Sequence, residues 1–219
     1  MLPKKVFIAT SNAGKLRDFA GATAGVTGVV LELLPGFSSL PSVEEDGLTF
    51  GANACKKAGF YSGYASGAIV LADDSGLEVA TLNGAPGVRS ARYSADDTPQ
   101  FQKAYASLSL SEDEANNQRL LRELANVPEP AKGARFVCVL AVARAGEVLQ
   151  TFEGAVRGTI LRAPRGENGF GYDPLFYLPE LGKTTAELTP EEKAKVSHRG
   201  QAFRKFLEWY KDQRWPNQP

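Results

Sequence analysis

The run AIVLA at residues 68–72 is apolar at every position. A strand of that kind belongs in a sheet covered on both faces, since each face of a half-exposed strand would show polar residues at alternate positions. The segments before it fit such a sheet. VFIAT (6–10) is apolar and partly β-branched and reads as a buried strand, followed by the turn SNAGK. Small and apolar spacing predicts a helix from Lys15 to about Ala24, and VVLELL (29–34) predicts a strand stopped by Pro35 and Gly36. The stretch LTFGANACKKAGFYSGYA reads as a second helix before AIVLA. Residues 98–126 carry two further helical patterns. RFVCVLAVAR (135–144) and VLQTFEGAVRGTIL (148–161), joined by AGE, predict a hairpin of long strands. TPEEKAKV and QAFRKFLEWYKDQ read as helices separated by SHRG. Early alternation followed by a hairpin predicts an α/β fold with a central mixed, twisted sheet flanked by helices.

A chain of 219 residues can bury a sizeable core as one large domain, or as one domain with a smaller lobe. Lys plus Arg and Asp plus Glu number 25 each, so no net field draws the chain to nucleic acid or to a membrane. Two cysteines, Cys55 and Cys138, without a CxxC pair argue against a disulfide scaffold or zinc knuckle and suit a reducing cytoplasm. The N-terminal stretch lacks the apolar core of a signal peptide, and no apolar run approaches the ~20 residues of a membrane span.

Four loops carry candidate chemistry. In ATSNAGK (9–15) a strand ends in small residues and opens a helix, which directs backbone N–H groups at an anion, with Lys15 as a mobile charge. The plainer alternative is that Ser11 or Asn12 caps the helix. The two-glycine P-loop pattern is absent. VEEDG supplies Glu44, Glu45 and Asp46, ordinary solvated acids unless the fold brings them near other carboxylates. In DDSG, Asp73 and Asp74 stand at the expected end of the buried strand, where open α/β sheets place ligands. Successive strand residues point to opposite faces, so the two acids should differ in role; an Asx-turn into Ser75 and Gly76 is the competing reading. Finally, NGFGYDPLF (168–176) puts Phe170 and Tyr172 on a glycine loop suited to stacking a base, and Lys193, His198 and Arg199 gather donors around a helix start.

Together, ATSNAGK, EEDGLTFGANACKKA, ADDSGLEVATLNGAPGVRSARYS, GFGYDPLF and TAELTPEEKAKVSHRGQAF resemble the inosine triphosphate pyrophosphatase family, the XTP/dITP diphosphatases, in consistent order from about residue 6 to residue 208. The resemblance implies an elongated, two-lobed single domain spanning residues 1–219, normally a homodimer. It implies hydrolysis of ITP, dITP and XTP between the α and β phosphorus atoms, giving a monophosphate and pyrophosphate, with Mg²⁺ required. On the matching positions, Asp74 is the general base and a metal ligand, and Glu45 or Glu44 the other metal contributor. Thr10, Ser11, Asn12, Ala13, Gly14 and Lys15 hold the triphosphate with Ser75 beside them. Phe170, Gly171, Tyr172 and Asp173 form the nucleoside loop, and Lys193, His198 and Arg199 hold substrate near the base and phosphates. Two positions depart from the pattern. Ser11 stands where the family commonly has glycine, which is tolerable if its φ is negative, and Ala194 stands where an Asn often follows the Lys.

The chemistry asks for these parts. A triphosphate carries about four negative charges, so water is repelled until cations neutralise them. An unperturbed Asp, with a pKa of about 3.9, is a weak base. Asp74 is therefore expected to align a metal-polarised water in preference to relying on a raised pKa. A 6-keto purine accepts hydrogen bonds where adenine donates, so donors from Arg199 and His198 would favour inosine and xanthine. Two other readings, a Maf-type pyrophosphatase and a nucleotide-sensing or RNA-binding module, fit less well, given SHRG, FGYDP and the intact acids.

Overall fold

The computed structural model describes residues 4–23, 28–128 and 131–213. Among these residues are seven strands, β1 (Lys4–Ile8), β2 (Val29–Leu33), β3 (Ile69–Val79), β4 (Gly133–Arg144), β5 (Glu147–Ile160), β6 (Phe176–Leu178) and β7 (Lys183–Thr184). The main helices are α1 (Ala13–Thr23), α2 (Phe50–Ser62), α3 (Pro99–Ser107), α4 (Glu112–Glu123), α5 (Pro190–Val196) and α6 (His198–Asp212). The strands run in the order β2-β1-β3-β4-β5-β6-β7. β1 pairs in parallel with β2 and β3, while β5, β6 and β7 pair antiparallel, so the sheet is mixed as the element order predicts.

The chain divides into two compact units, and β3, β4 and β5 each contribute residues to both. The first comprises Met1–Ser75, Cys138–Ala155 and Pro190–Pro219. Its core joins Val6, Ile8, Ile69, Leu71, Leu140 and Val142 on the sheet to Phe19 of α1 and Phe203, Phe206 and Leu207 of α6. Phe19 and Phe203 meet edge to face, with centroids 5.7 Å apart. The second unit comprises Gly76–Val137 and Val156–Thr189. It buries Leu77, Tyr93, Leu120, Phe136, Ile160, Leu175 and Phe176, with the Phe136 and Phe176 rings 4.4 Å apart.

Local chemistry sets the helix ends. Thr49 caps α2 by accepting from the Ala52 N–H, Ser111 and Glu114 form a capping box on α4, and Ser197 caps α6 through the Gly200 N–H. Three expectations need correction. Helix α1 begins at Ala13, two residues before the expected Lys15, with Asn12 at its entrance accepting from the Lys15 N–H; its expected end at Ala24 lies outside the described residues. Helix α6 begins at His198, so SHRG is a capped first turn and not a separator. Most consequentially, β3 does not stop at Ala72 but continues through Asp73, Asp74 and Ser75 to Val79.

Candidate active site

Because β3 runs straight through the two acids, Asp73 and Asp74 leave the sheet on opposite faces. Asp73 meets side chains from α1 and α6. The Lys15 ammonium lies 3.0 Å from Asp73 Oδ2, and the Arg199 Nε and Nη2 atoms both lie 3.4 Å from the same oxygen. The Ser75 hydroxyl donates to it at 3.2 Å. Arg199 also donates from Nη2 to Ser75 Oγ at 2.8 Å and from Nη1 to Asp18 Oδ2 at 2.5 Å. Asp18 in turn pairs through Oδ1 with Lys193 Nζ at 3.3 Å. Burial alone would raise the Asp73 pKa, but Lys15 and Arg199, with Lys57 further off, outweigh it and hold the carboxyl well below the usual range. The competing Asx-turn reading is thus corrected: the strand continues, and Asp73 is the hub of an interior ion-pair network.

Asp74 faces α2. The Asn53 amide donates to Asp74 Oδ2 at 3.0 Å, and the Ser75 N–H donates to Oδ1 at 3.0 Å. Lys57 Nζ stands 3.9 Å from Oδ1 and 2.7 Å from Glu45 Oε2, so one ammonium joins the strand acid to the acidic loop. Burial raises the Asp74 pKa against the lowering pull of Lys57, Lys15 and Asn53. Burial would lower Lys57, but Asp73, Asp74 and Glu45 reverse that and raise it. Glu44 is exposed and has no hydrogen bond or ion pair to a described residue, whereas Glu45 is the loop acid directed at the Asp74 cluster. Asn53, Lys57 and Asp18 were not singled out from sequence. The i, i+4 spacing of Asn53 and Lys57 on one helix face was the available signal for two of them.

The first loop is built as a helix entrance. Asn12 Oδ1 accepts from the Lys15 N–H at 2.9 Å, and Thr10 Oγ1 accepts from the Asn12 N–H at 3.2 Å. Ser11, Asn12 and Ala13 are exposed while Thr10 and Gly14 are buried. Ser11 is absent from the positive-φ residues, so serine fits where the resembled family commonly has glycine. Lys15, expected on a triphosphate, is engaged by Asp73 in this structure.

The C-terminal donors lie deeper than their motif suggests. Lys193, His198 and Arg199 are 6%, 6% and 1% exposed. Arg199 reaches Asp18, Asp73 and Ser75, which braces the acid cluster from α6. Burial, with Arg199 and Lys193 adding to it, lowers the His198 pKa well below the ordinary value, so the imidazole is neutral.

In the second unit, the 168–176 loop is internally braced. The Phe170 N–H donates to Asp173 Oδ2 at 2.9 Å, Asp173 Oδ1 accepts from Thr185 Oγ1 at 2.8 Å, and the Gly171 N–H donates to Asp113 Oδ2 at 2.7 Å. Tyr172 is 4% exposed and its hydroxyl donates to the Ser90 carbonyl at 2.8 Å. Its ring belongs to the interior and leaves Phe170, which is partly exposed, as the aromatic face of the loop.

Among the described residues no group of three or more His, Cys, Asp or Glu side chains converges as a closed metal cage. Asp74 and Glu45, drawn to one ammonium, form the two-carboxylate arrangement that a hard divalent ion uses when substrate oxygens and waters complete its shell. The residues therefore fit Mg²⁺ of that kind. No described helix is long and apolar enough to cross a membrane.

Comparison with known proteins gives a consistent pattern. A profile of the Ham1 family matches residues 6–209. A dITP/XTP pyrophosphatase of Acidobacterium capsulatum is 50% identical over 202 residues, covering 92% of this chain and 96% of that protein. Another, from Thermus thermophilus, is 45% identical over 208 residues, covering 95% and 92%. The structure of the Staphylococcus aureus Ham1 protein matches with a TM-score of 0.78 at 36% identity, over 96% of this chain and all of that one. A HAM1 protein from Coxiella burnetii matches at 0.77 and 34% identity, with 96% of this chain covered.

Proposed function

Since the chain belongs to the Ham1 family, we propose that it hydrolyses non-standard purine nucleoside triphosphates, dITP, ITP and XTP, to the monophosphate and pyrophosphate. The observation that carries the reading is the division of labour between the adjacent acids: Asp73 is locked into cations, while Asp74 keeps a raised pKa beside a second carboxylate. Relatives at 45–50% identity bear the name dITP/XTP pyrophosphatase, which supports the substrate class.

In this reading Asp74 accepts a proton from the attacking water as the bond between the α and β phosphoryl groups breaks. Asn53 and the Ser75 N–H hold its carboxylate in one orientation, so the base is aimed before substrate arrives. The exposed N-terminus of α1, with Ser11, Asn12 and Ala13, receives phosphate oxygens. Lys15 and Lys57 supply positive charge on the two sides of β3. Asp74 and Glu45 would hold Mg²⁺, which when bound neutralises phosphate charge and lowers the pKa of water. In the second unit, Phe170 is the partly exposed aromatic of the loop that the resemblance assigns to the nucleoside. The whole chain as one catalytic domain and a homodimeric assembly, both carried over from the resemblance, and a cytoplasmic location, suggested by the cysteine usage, complete the reading.

The test is product identification with dITP, ITP, XTP, GTP and ATP in the presence of Mg²⁺. The expected outcome is monophosphate plus pyrophosphate from the first three, with far slower turnover of ATP. Orthophosphate release, or equal rates on ATP and ITP, contradicts the reading.

A further inference from the structure

Asn53 has a geometry that ties the base to the acidic loop. Its side chain is 2% exposed and reaches in two directions from α2. Its carbonyl oxygen accepts from the Gly47 N–H at 2.8 Å, and its amide nitrogen donates to Asp74 Oδ2 at 3.0 Å and lies 3.4 Å from the Gly47 carbonyl. The Gly47 N–H can only donate, so it fixes which way the amide points, and the NH₂ group must then face Asp74. The contact is close on the loop side as well. A methyl group at Gly47 would stand 2.6 Å from Asn53 Oδ1 and 2.9 Å from the Ala52 side chain. Gly47 lies two residues from Glu45, whose carboxylate meets Lys57 one helical turn beyond Asn53.

We propose that Asn53 is a positioning residue that clamps Asp74 and the 44–47 loop into a single register, so that the strand acid and Glu45 are presented together. The proposal rests on the assignment of Asp74 as the base. Asn53 touches no reacting atom; it acts through Asp74 on one side and through Gly47 on the other. A buried asparagine in a merely structural role would affect stability alone, whereas the clamp ties loop order to turnover.

Three variants separate its two arms. Asn53→Ala removes both, Asn53→Asp keeps the acceptor for Gly47 but turns a carboxylate on Asp74, and Gly47→Ala displaces the loop without changing Asn53. Two readouts are taken on the intact chain: steady-state kinetics with dITP and amide hydrogen exchange at residue 47. Asn53→Ala is expected to lower kcat by about tenfold to a hundredfold with KM little changed. The same variant should speed exchange of the Gly47 amide by about fivefold or more. Asn53→Asp should lower kcat while leaving that exchange slow, and Gly47→Ala should lower kcat. Thermal unfolding identifies any variant that fails to fold, and the remaining ones then decide. Wild-type kcat in Asn53→Asp and Gly47→Ala, or unchanged exchange at residue 47 in Asn53→Ala, overturns the clamp. Absence of dITP hydrolysis by the wild type would instead sink the assigned activity, with the exchange measurement still deciding whether Asn53 holds the loop.

Discussion

One peptide bond separates two carboxylates that their surroundings push in opposite directions. Burial acts to raise both, and Lys15 and Arg199 reverse it only at Asp73. Separated pKa values of this kind accord with the proposed roles, Asp73 as a structural anion and Asp74 as the base. The sole histidine offers a clean test of the same interior field. His198 is held neutral by burial and by Arg199 and Lys193, so its folded pKa lies below the ordinary 6.5. The unfolded chain then takes up a proton that the folded chain refuses, and this part of the stability is lost as pH falls below 6.5. The slope grows from about 0.7 kcal/mol per pH unit at pH 6.5 toward about 1.4 as the unfolded imidazole becomes fully protonated. Urea unfolding between pH 6.5 and 5.5 should show it in the wild type and lose it in His198→Gln. An identical slope in both would exclude His198 as its source.

At the level of elements, the periodic segments were legible and their boundaries less so. AIVLA marked the start of β3, but DDSG is turn chemistry by composition, and nothing local reveals that the strand continues. What keeps it extended is distant. Asp73 finds Lys15 at a separation of 58 residues and Arg199 at 126, and such partners leave no periodic trace. SHRG was misread for a related reason: Ser197 caps α6, so the apparent break is the first turn. That turn depends on a close approach by β5. A methyl group on Gly154 would stand 2.1 Å from the His198 carbonyl oxygen and 2.7 Å from the Ala202 nitrogen. Gly154→Ala should therefore cost about 1–3 kcal/mol in unfolding free energy, and displace Arg199 enough to lower kcat. Unaltered stability in that variant would mean the strand and helix can separate without penalty.

At the scale of the whole molecule, the chain leaves the first unit after Ser75, returns through Cys138–Ala155, leaves again and comes back at Pro190. This path explains why motifs near residues 15, 45, 74 and 199 form one cluster although they are scattered along the sequence. Their order suffices to indicate the family, but not the partners they choose once assembled. The division of Asp73 from Asp74 by face was legible from strand alternation, whereas the charge network at Asp18 follows only from that assembly. The central claim is that Asp74 is the base of a pyrophosphohydrolase, and the intact chain tests it directly. The measurement is kcat for dITP with Mg²⁺, wild type against Asp74→Asn, with thermal unfolding of both recorded alongside. The account predicts a loss of about 10²–10⁴-fold with a cooperative unfolding transition retained; turnover within a few-fold of wild type by the folded variant would contradict it.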